Sequence, residues 1–152
     1  ELDPANASTY RENAKVYTQQ IQQIDQKLRT ALASLPENQR YMATCEGAFT
    51  YLIKDYNLKE IYLWAVNSDQ EGTPQQIRQA IDQVKANQVP VVFCESTVNA
   101  EAQKQVAREG EARFGGVFYV DSLTDAGGDA PTYLKLLEYN VNTLIQGLQG
   151  GS

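Results

Sequence analysis

The sequence predicts an α/β fold: a four-stranded parallel sheet with helices on both faces, preceded by a long N-terminal helix. The first observation is that apolar runs of five to seven residues alternate four times with helical patterns. Strands that alternate with helices form parallel sheets whose two faces are both covered. The second is that right-handed crossovers bring the carboxyl ends of such strands to one edge. We expect the strand order 2-1-3-4, which has a ligand-binding switch point at that edge.

The chain is predicted to begin with a long helix over residues 3–35. Asp3 and Pro4 form a helix start, and Pro36 with the two residues after it ends the pattern. About 30 residues span roughly 45 Å at 1.5 Å per residue, which is more than a compact domain of this length needs. The helix could lie across its own sheet, or it could be a linker helix that crosses two lobes. One face carries the apolar residues Tyr10, Ala14, Tyr17, Ile21, Ile24, Leu28, Ala31 and Leu35.

Four strand-and-helix units follow, over residues 39–149. The strands are predicted at residues 40–44, 60–66, 90–94 and 116–120. Helices are predicted over residues 49–56, from Thr73 and Pro74 onward, from Asn99 to residue 110, and from Pro131 onward. The inward faces should carry Ile77, Ile81 and Val84 in the second helix, and Tyr133, Leu136, Leu137, Val141, Leu144 and Leu148 in the last.

Composition excludes several functions. A net charge of -6 argues against nucleic acid as a partner, because phosphate binding requires a basic surface. The chain has no histidine, which rules out catalysis by Ser-His-Asp or Cys-His groups and removes the commonest metal ligand. No apolar run approaches the ~18–20 residues that span a bilayer.

Carboxylates follow the predicted strands at the edge where ligands bind. Glu46 follows the first strand, Glu95 the third and Asp121 the fourth. Carboxylate oxygens suit hard or borderline divalent cations such as manganese and magnesium. Each residue also has a simpler interpretation: Glu46 could cap the next helix, Asp121 could form an Asx-turn, and Glu95 could bind helix N–H groups or support the ligands from behind.

The two cysteines, Cys45 and Cys94, are not spaced as a redox or zinc motif. Composition alone favours buried free thiols. In the order 2-1-3-4, however, the first and third strands are neighbours, so the two Cα atoms would lie within the ~4.4–6.8 Å that a disulfide requires. A bridge would imply an oxidising compartment.

Several motifs resemble the C-terminal lobe of the manganese- and zinc-binding receptors of ABC importers. They are TCEGAFTYL at residues 44–52, KEIYLW at 59–64, GTP at 72–74, VFCESTV at 92–98 and YVDSL at 119–123. LDPANA at residues 2–7 is similar to the start of the family's interlobe helix. The cysteine before the motif glutamate, with its partner in the VFCESTV stretch, resembles the cyanobacterial manganese receptors.

The resemblance implies a metal site between two lobes, with two histidines from an N-terminal lobe and two carboxylates from this one. The glutamate corresponds to Glu46, the aspartate to Asp121, and the disulfide pair to Cys45 and Cys94. The absence of histidine departs from the family pattern and implies that the N-terminal lobe is absent. The intact protein would then capture manganese, or zinc, in the periplasm and deliver it to a membrane permease. A lipid anchor in the precursor is a further expectation.

Two other expectations accompany this interpretation. Without its other lobe the chain would bind metal weakly, and it could form a homodimer, swapped through residues 3–35. The alternative function is a magnesium-dependent phosphoryl-transfer enzyme that uses Glu46, Glu95 and Asp121. Against it, the sequence has no GxxxxGK[ST] loop. We therefore predict a transport receptor rather than an enzyme.

Overall fold

The computed structural model describes residues 3–36, 39–69 and 71–150. A 3-10 turn, Pro4–Asn6, leads into nine elements: α1 (Ala7–Ala33), β1 (Tyr41–Glu46), α2 (Thr50–Asp55), β2 (Lys59–Trp64), α3 (Pro74–Ala86), β3 (Val91–Glu95), α4 (Glu101–Gly110), β4 (Arg113–Phe118) and α5 (Tyr133–Leu148). The alternation of strands and helices is therefore as the sequence predicts. Leu2, Glu37 and Asn38, which we assigned to the family motif and to the end of the long helix, lie outside the described residues.

The strands pair in parallel as β1 with β2 and β3 with β4. A single four-stranded sheet in the order 2-1-3-4 is not confirmed, because the backbone pairing forms two sheets of two strands. One side chain forms hydrogen bonds with the backbone of both β1 and β3. The Gln103 amide donates to the carbonyls of Ala43, at 3.2 Å, and Phe93, at 2.9 Å. These bonds give the two strands a shared polar partner.

Strand boundaries differ from the predictions by one to three residues, and most at β4. β1 extends two residues further than predicted and ends at Glu46, while β4 begins at Arg113 and ends at Phe118. The three residues before the predicted start at Gly116 were missed because Gly115 is unusual in a strand. A Cβ on Gly115 would lie 2.5 Å from side-chain atoms of Phe93 and Val91, so close packing requires a glycine there.

Two apolar cores lie on opposite sides of the strands. One packs β1, β2 and β3 against α3 and α4, around residues such as Ile61, Val84 and Val106. The other packs β1, β3 and β4 against α1 and α5, around Leu28 and Phe118. Helices therefore cover both faces of the strand layer.

The helix starts are only partly as predicted. The Thr73 hydroxyl caps α3 in a reciprocal arrangement with Gln76. Asp3 does not cap a helix with its side chain; its carboxylate instead accepts hydrogen bonds from Asn6 and from the Tyr10 hydroxyl.

The buried faces of α1 and α5 are narrower than predicted. In α1 the buried residues are Leu28 and Leu32, while Tyr10 and Tyr17 are 55% and 41% exposed. In α5 the predicted inward residue Tyr133 is 53% exposed. The first half of α1 therefore extends beyond the apolar core. None of the helices in the described part of the chain is long and apolar enough to cross a membrane.

Candidate metal centre

Glu46 is the last residue of β1 and is half-buried. It is in register with Trp64 at the end of β2, and the N–H of the next residue, Gly47, donates to the Trp64 carbonyl at 2.9 Å. A Cβ on Gly47 would lie 3.1 Å from the Tyr62 ring, so the chain turns off the strand in close contact with β2. This places the Glu46 carboxylate at the carboxyl edge of the strands.

Asp121 lies three residues beyond the end of β4 and is exposed. It was predicted to follow the strand directly, so the segment between the strand and Asp121 is longer than expected. Within that segment, the side-chain amide of Asn140 on α5 holds the backbone of Tyr119. Asn140 was missed by the sequence analysis. The sequence feature that could have identified Asn140 is its position: a polar amide lies between Leu137 and Val141, on the apolar face of the last helix.

Glu95 ends β3 and is only 1% exposed. Its carboxylate accepts hydrogen bonds from the N–H groups of Cys45 and Glu46, each at 3.2 Å. Glu95 thus binds N–H groups of a neighbouring strand end rather than those of a helix. Burial raises the pKa of Glu95 to about 7, although the backbone N–H donors act in the opposite direction.

The predicted disulfide between Cys45 and Cys94 is confirmed, with a Cα–Cα distance of 4.9 Å. Both sulfur atoms are fully buried and lie beside Glu95. Each cysteine is the penultimate residue of its strand, so the bridge joins the ends of β1 and β3 directly behind Glu46. Free thiols, the alternative that composition favoured, are thereby excluded.

The described residues hold one group of three or more metal-ligand side chains, formed by Cys45, Cys94 and Glu95, whose sulfurs are already joined to each other. Glu46 ends β1 and Asp121 lies in the loop after β4, and the two do not form such a group. Two carboxylates offer oxygen ligands for a divalent cation and leave the remaining positions to other ligands. That these two side chains converge stays a prediction.

The chain is similar to known metal-binding transport proteins over nearly its whole length. Residues 1–147 match the family model of the zinc-uptake complex component A, periplasmic. The chain is 48% identical over 147 residues to the iron-binding protein YfeA of Yersinia pestis, and covers 47% of that protein. It is 32% identical to the metal ABC transporter substrate-binding lipoprotein SsaB of Streptococcus sanguinis, and covers 48% of it. Each match includes 97% of the present chain.

Among solved structures, a manganese-bound mutant of a periplasmic metal-binding protein from Candidatus Liberibacter asiaticus superposes with a TM-score of 0.88 at 40% identity. That match covers 97% of this chain and 54% of the other. The chain thus spans about half the length of the relatives it matches. With the family model matched over nearly all its residues, the chain belongs to the ZnuA family of metal-binding receptors of ABC importers.

Proposed function

We propose that this chain is the C-terminal half of a periplasmic manganese receptor, which captures the metal between two lobes and delivers it to an ABC permease. The observation that carries the proposal is that Glu46 ends β1 and that Asp121 follows the end of β4 by three residues, in a chain that belongs to the family. Glu46 and Asp121 would each supply a carboxylate ligand, and the missing N-terminal lobe would supply two imidazoles.

Manganese is the proposed cargo because carboxylate oxygens suit it, and zinc would also accept a mixed set of oxygen and nitrogen ligands. A solved relative carries manganese, whereas the name of another gives iron as its metal. With two of the ligands, this chain alone would bind metal weakly.

The geometry proposed for the lobe is a layer in the order β2-β1-β3-β4. The disulfide supports it, because Cα atoms 4.9 Å apart are at the spacing of adjacent strands. In this order β3 separates β1 from β4. Glu46 and Asp121 would then approach each other above the end of β3, where Glu95 lies.

The lobe boundaries remain those of the sequence analysis: residues 3–35 as the interlobe helix and residues 39–149 as the α/β lobe. The exposed apolar side chains of α1, including Tyr10, Val16 and Tyr17, support a role in which a further part of the receptor covers this helix. In the isolated chain the same surface would favour a homodimer, swapped through residues 3–35.

Membership of a transport-receptor family favours this function over magnesium-dependent phosphoryl transfer. It also fits a periplasmic location with the precursor attached to lipid, since one relative is named a lipoprotein. The buried disulfide supports an oxidising compartment.

The test is manganese binding by the full-length receptor, measured by titration calorimetry. Glu46→Ala and Asp121→Ala should each weaken binding by about 100-fold or more, because loss of even a group that supports a metal ligand typically costs 10–100-fold. The matched controls are Glu71→Ala and Asp125→Ala, which remove exposed carboxylates from neighbouring loops. Unchanged affinity in either ligand variant would refute the assignment.

A further inference from the structure

We propose that Asn140 on α5 is a positioning residue for Asp121, and that metal binding at Asp121 depends on it. The inference rests on the proposed function, because it takes Asp121 as a metal ligand. Asn140 does not itself contact the metal in this proposal. It acts through the backbone that leads to Asp121.

The Asn140 side chain makes two hydrogen bonds to one residue. Its Nδ2 donates to the carbonyl of Tyr119 at 2.7 Å, and its Oδ1 accepts from the N–H of the same residue at 3.0 Å. Tyr119 is the first residue after β4. The last backbone hydrogen bond that β4 receives from the chain leaving β3 is the one that the Ser96 N–H donates to the Phe118 carbonyl, at 2.9 Å. The Asn140 amide therefore takes the place of a strand partner just where β4 has lost one.

A second fixed point follows Asp121 along the chain. The N–H of Thr124 donates to the carbonyl of Ala130 at 3.0 Å, and the N–H of Ala130 donates to the Thr124 hydroxyl at 3.1 Å. Ala130 is fully buried, which ties this closure to the core. Asp121 thus lies on a short segment held at both ends. Its distance from Tyr119 is at most about 7 Å, at ~3.3–3.6 Å per residue.

The chemistry of asparagine suits this role. Its planar amide presents a donor and an acceptor at a fixed spacing, which matches the N–H and carbonyl of one peptide residue. The Tyr119 ring lies against the Tyr139 ring, with centroids 5.0 Å apart, and this contact adds a second restraint next to Asn140. Metal ligands must be held within about 0.5 Å of their productive position, so releasing Tyr119 should affect a ligand two residues away.

The experiment uses the 15N-labelled chain with manganese chloride as the probe. Bound Mn²⁺ broadens the amide resonances around it, so the Mn²⁺ concentration that broadens Glu46 and Asp121 reports the affinity of the site to which both contribute. The amide of Glu111 reports non-specific binding, because its carboxylate is exposed and lies before the start of β4, at the opposite end of the strand from Asp121. In the native chain, Glu46 and Asp121 should broaden at Mn²⁺ concentrations about fivefold below those required for Glu111.

Asn140→Leu keeps the size of the side chain and removes both hydrogen bonds. We expect the Asp121 amide to require about fivefold more Mn²⁺, as Glu111 does, while the Tyr119 amide exchanges its hydrogen at least tenfold faster. Asn142→Leu is the matched control: it lies on the same helix and removes a hydrogen bond from Lys27 instead. It should leave both the Asp121 and the Tyr119 readouts unchanged.

The possible results distinguish a failure of the positioning role of Asn140 from a failure of the receptor function. If Asn140→Leu releases the Tyr119 amide yet Asp121 broadens as in the native chain, the positioning role is overturned and the receptor function stands. If the native chain shows no selective broadening at Glu46 or Asp121, both fail. Should Asn140→Leu not fold, Asn140→Gln keeps both polar groups on a longer side chain. It should shift Asp121 broadening by about two- to threefold, and an unchanged response would again overturn the role.

Discussion

The carboxylate of Glu95 accepts a hydrogen bond from the backbone N–H of Glu46 at 3.2 Å, so the last residue of β3 fixes the last residue of β1. The disulfide joins the residues directly before these two. The proposed ligand Glu46 is therefore held from behind by one covalent and one polar link. Four predictions test contacts that hold the strands and helices of the lobe in place.

Removing the disulfide should cost about 4 kcal/mol of unfolding free energy, because the bridge closes a loop of 49 residues in the unfolded chain. The variant is Cys45→Ala combined with Cys94→Ala, which leaves no free thiol. Urea unfolding followed by circular dichroism measures the change. A loss below about 1 kcal/mol would show that the bridge adds little to the stability of the lobe.

Replacing Gln103 with leucine should lower the unfolding free energy by about 2 kcal/mol. The buried carbonyls of Ala43 and Phe93 would each lose a donor, and unmet buried acceptors cost roughly 1–3 kcal/mol. Gln105→Leu on the same helix is the control, since it removes a hydrogen bond to Glu109 near the surface, and it should change stability by less than about 0.5 kcal/mol. Equal effects of the two variants would contradict a bridging role for Gln103.

Gly147→Ala should destabilise the protein, although alanine is favoured over glycine in a helix by roughly 1 kcal/mol. A Cβ at this position would lie 2.4 Å from Cζ of Phe93. The Phe93 ring is stacked on the Phe118 ring, with centroids 4.8 Å apart. Phe93 therefore cannot move away from the added methyl group without displacing Phe118. Overpacking typically costs about 1–3 kcal/mol. Thermal unfolding is the measurement, and Gly127→Ala is the control because no atom lies within 4 Å of its Cβ position. A raised melting temperature for Gly147→Ala would contradict the packing argument.

Tyr56 should ionise late in an alkaline titration. Burial, and then the hydrogen bond that its hydroxyl donates to Asp25 at 2.6 Å, raise its pKa to about 12. Since the pKa in the folded state lies above the unfolded value near 10, the stability that Tyr56 contributes is complete below pH 10 and is lost as the pH rises through 12. A difference titration of tyrosinate absorbance between the native protein and Tyr56→Phe measures the pKa directly.

The matching variant for this contact is Asp25→Asn. It removes the negative charge and the charged acceptor while burial of the ring persists, so the pKa of Tyr56 should fall only part of the way toward 10. A difference spectrum that places Tyr56 at its ordinary value in the native protein would show that α2 is not held to α1 through this pair.

Local patterns in the sequence predicted the features that depend on neighbouring residues. Thr73 caps its helix, as the Thr73–Pro74 pair predicted, because its hydroxyl accepts from a backbone N–H in the first turn of the same helix. The pairing of Cys45 with Cys94, which are 49 residues apart, was also predicted, from the expected strand order and from the resemblance to the family.

Other features that depend on contacts between distant residues were not predicted. Gln103 and Asn140 are polar residues on buried helix faces, and nothing nearby in the sequence tells which backbone groups they bind. The start of β4 was missed because Gly115 is required by Phe93 and Val91, more than twenty residues earlier. Whether Glu46 and Asp121 converge depends on two loops at once, and it stays a prediction.

The exposed first half of α1 should be the least stable part of the helix. Residues 8–20 contribute no buried side chain, and a helical stretch shorter than about 12–15 residues is only marginally stable in water by itself. This stretch should therefore exchange its amide hydrogens and admit proteases before the rest of the chain does. A partner surface that covers Tyr10 and Tyr17 would slow both the amide exchange and the protease cleavage. Protease digestion therefore reports whether another protein surface is bound to this half of α1.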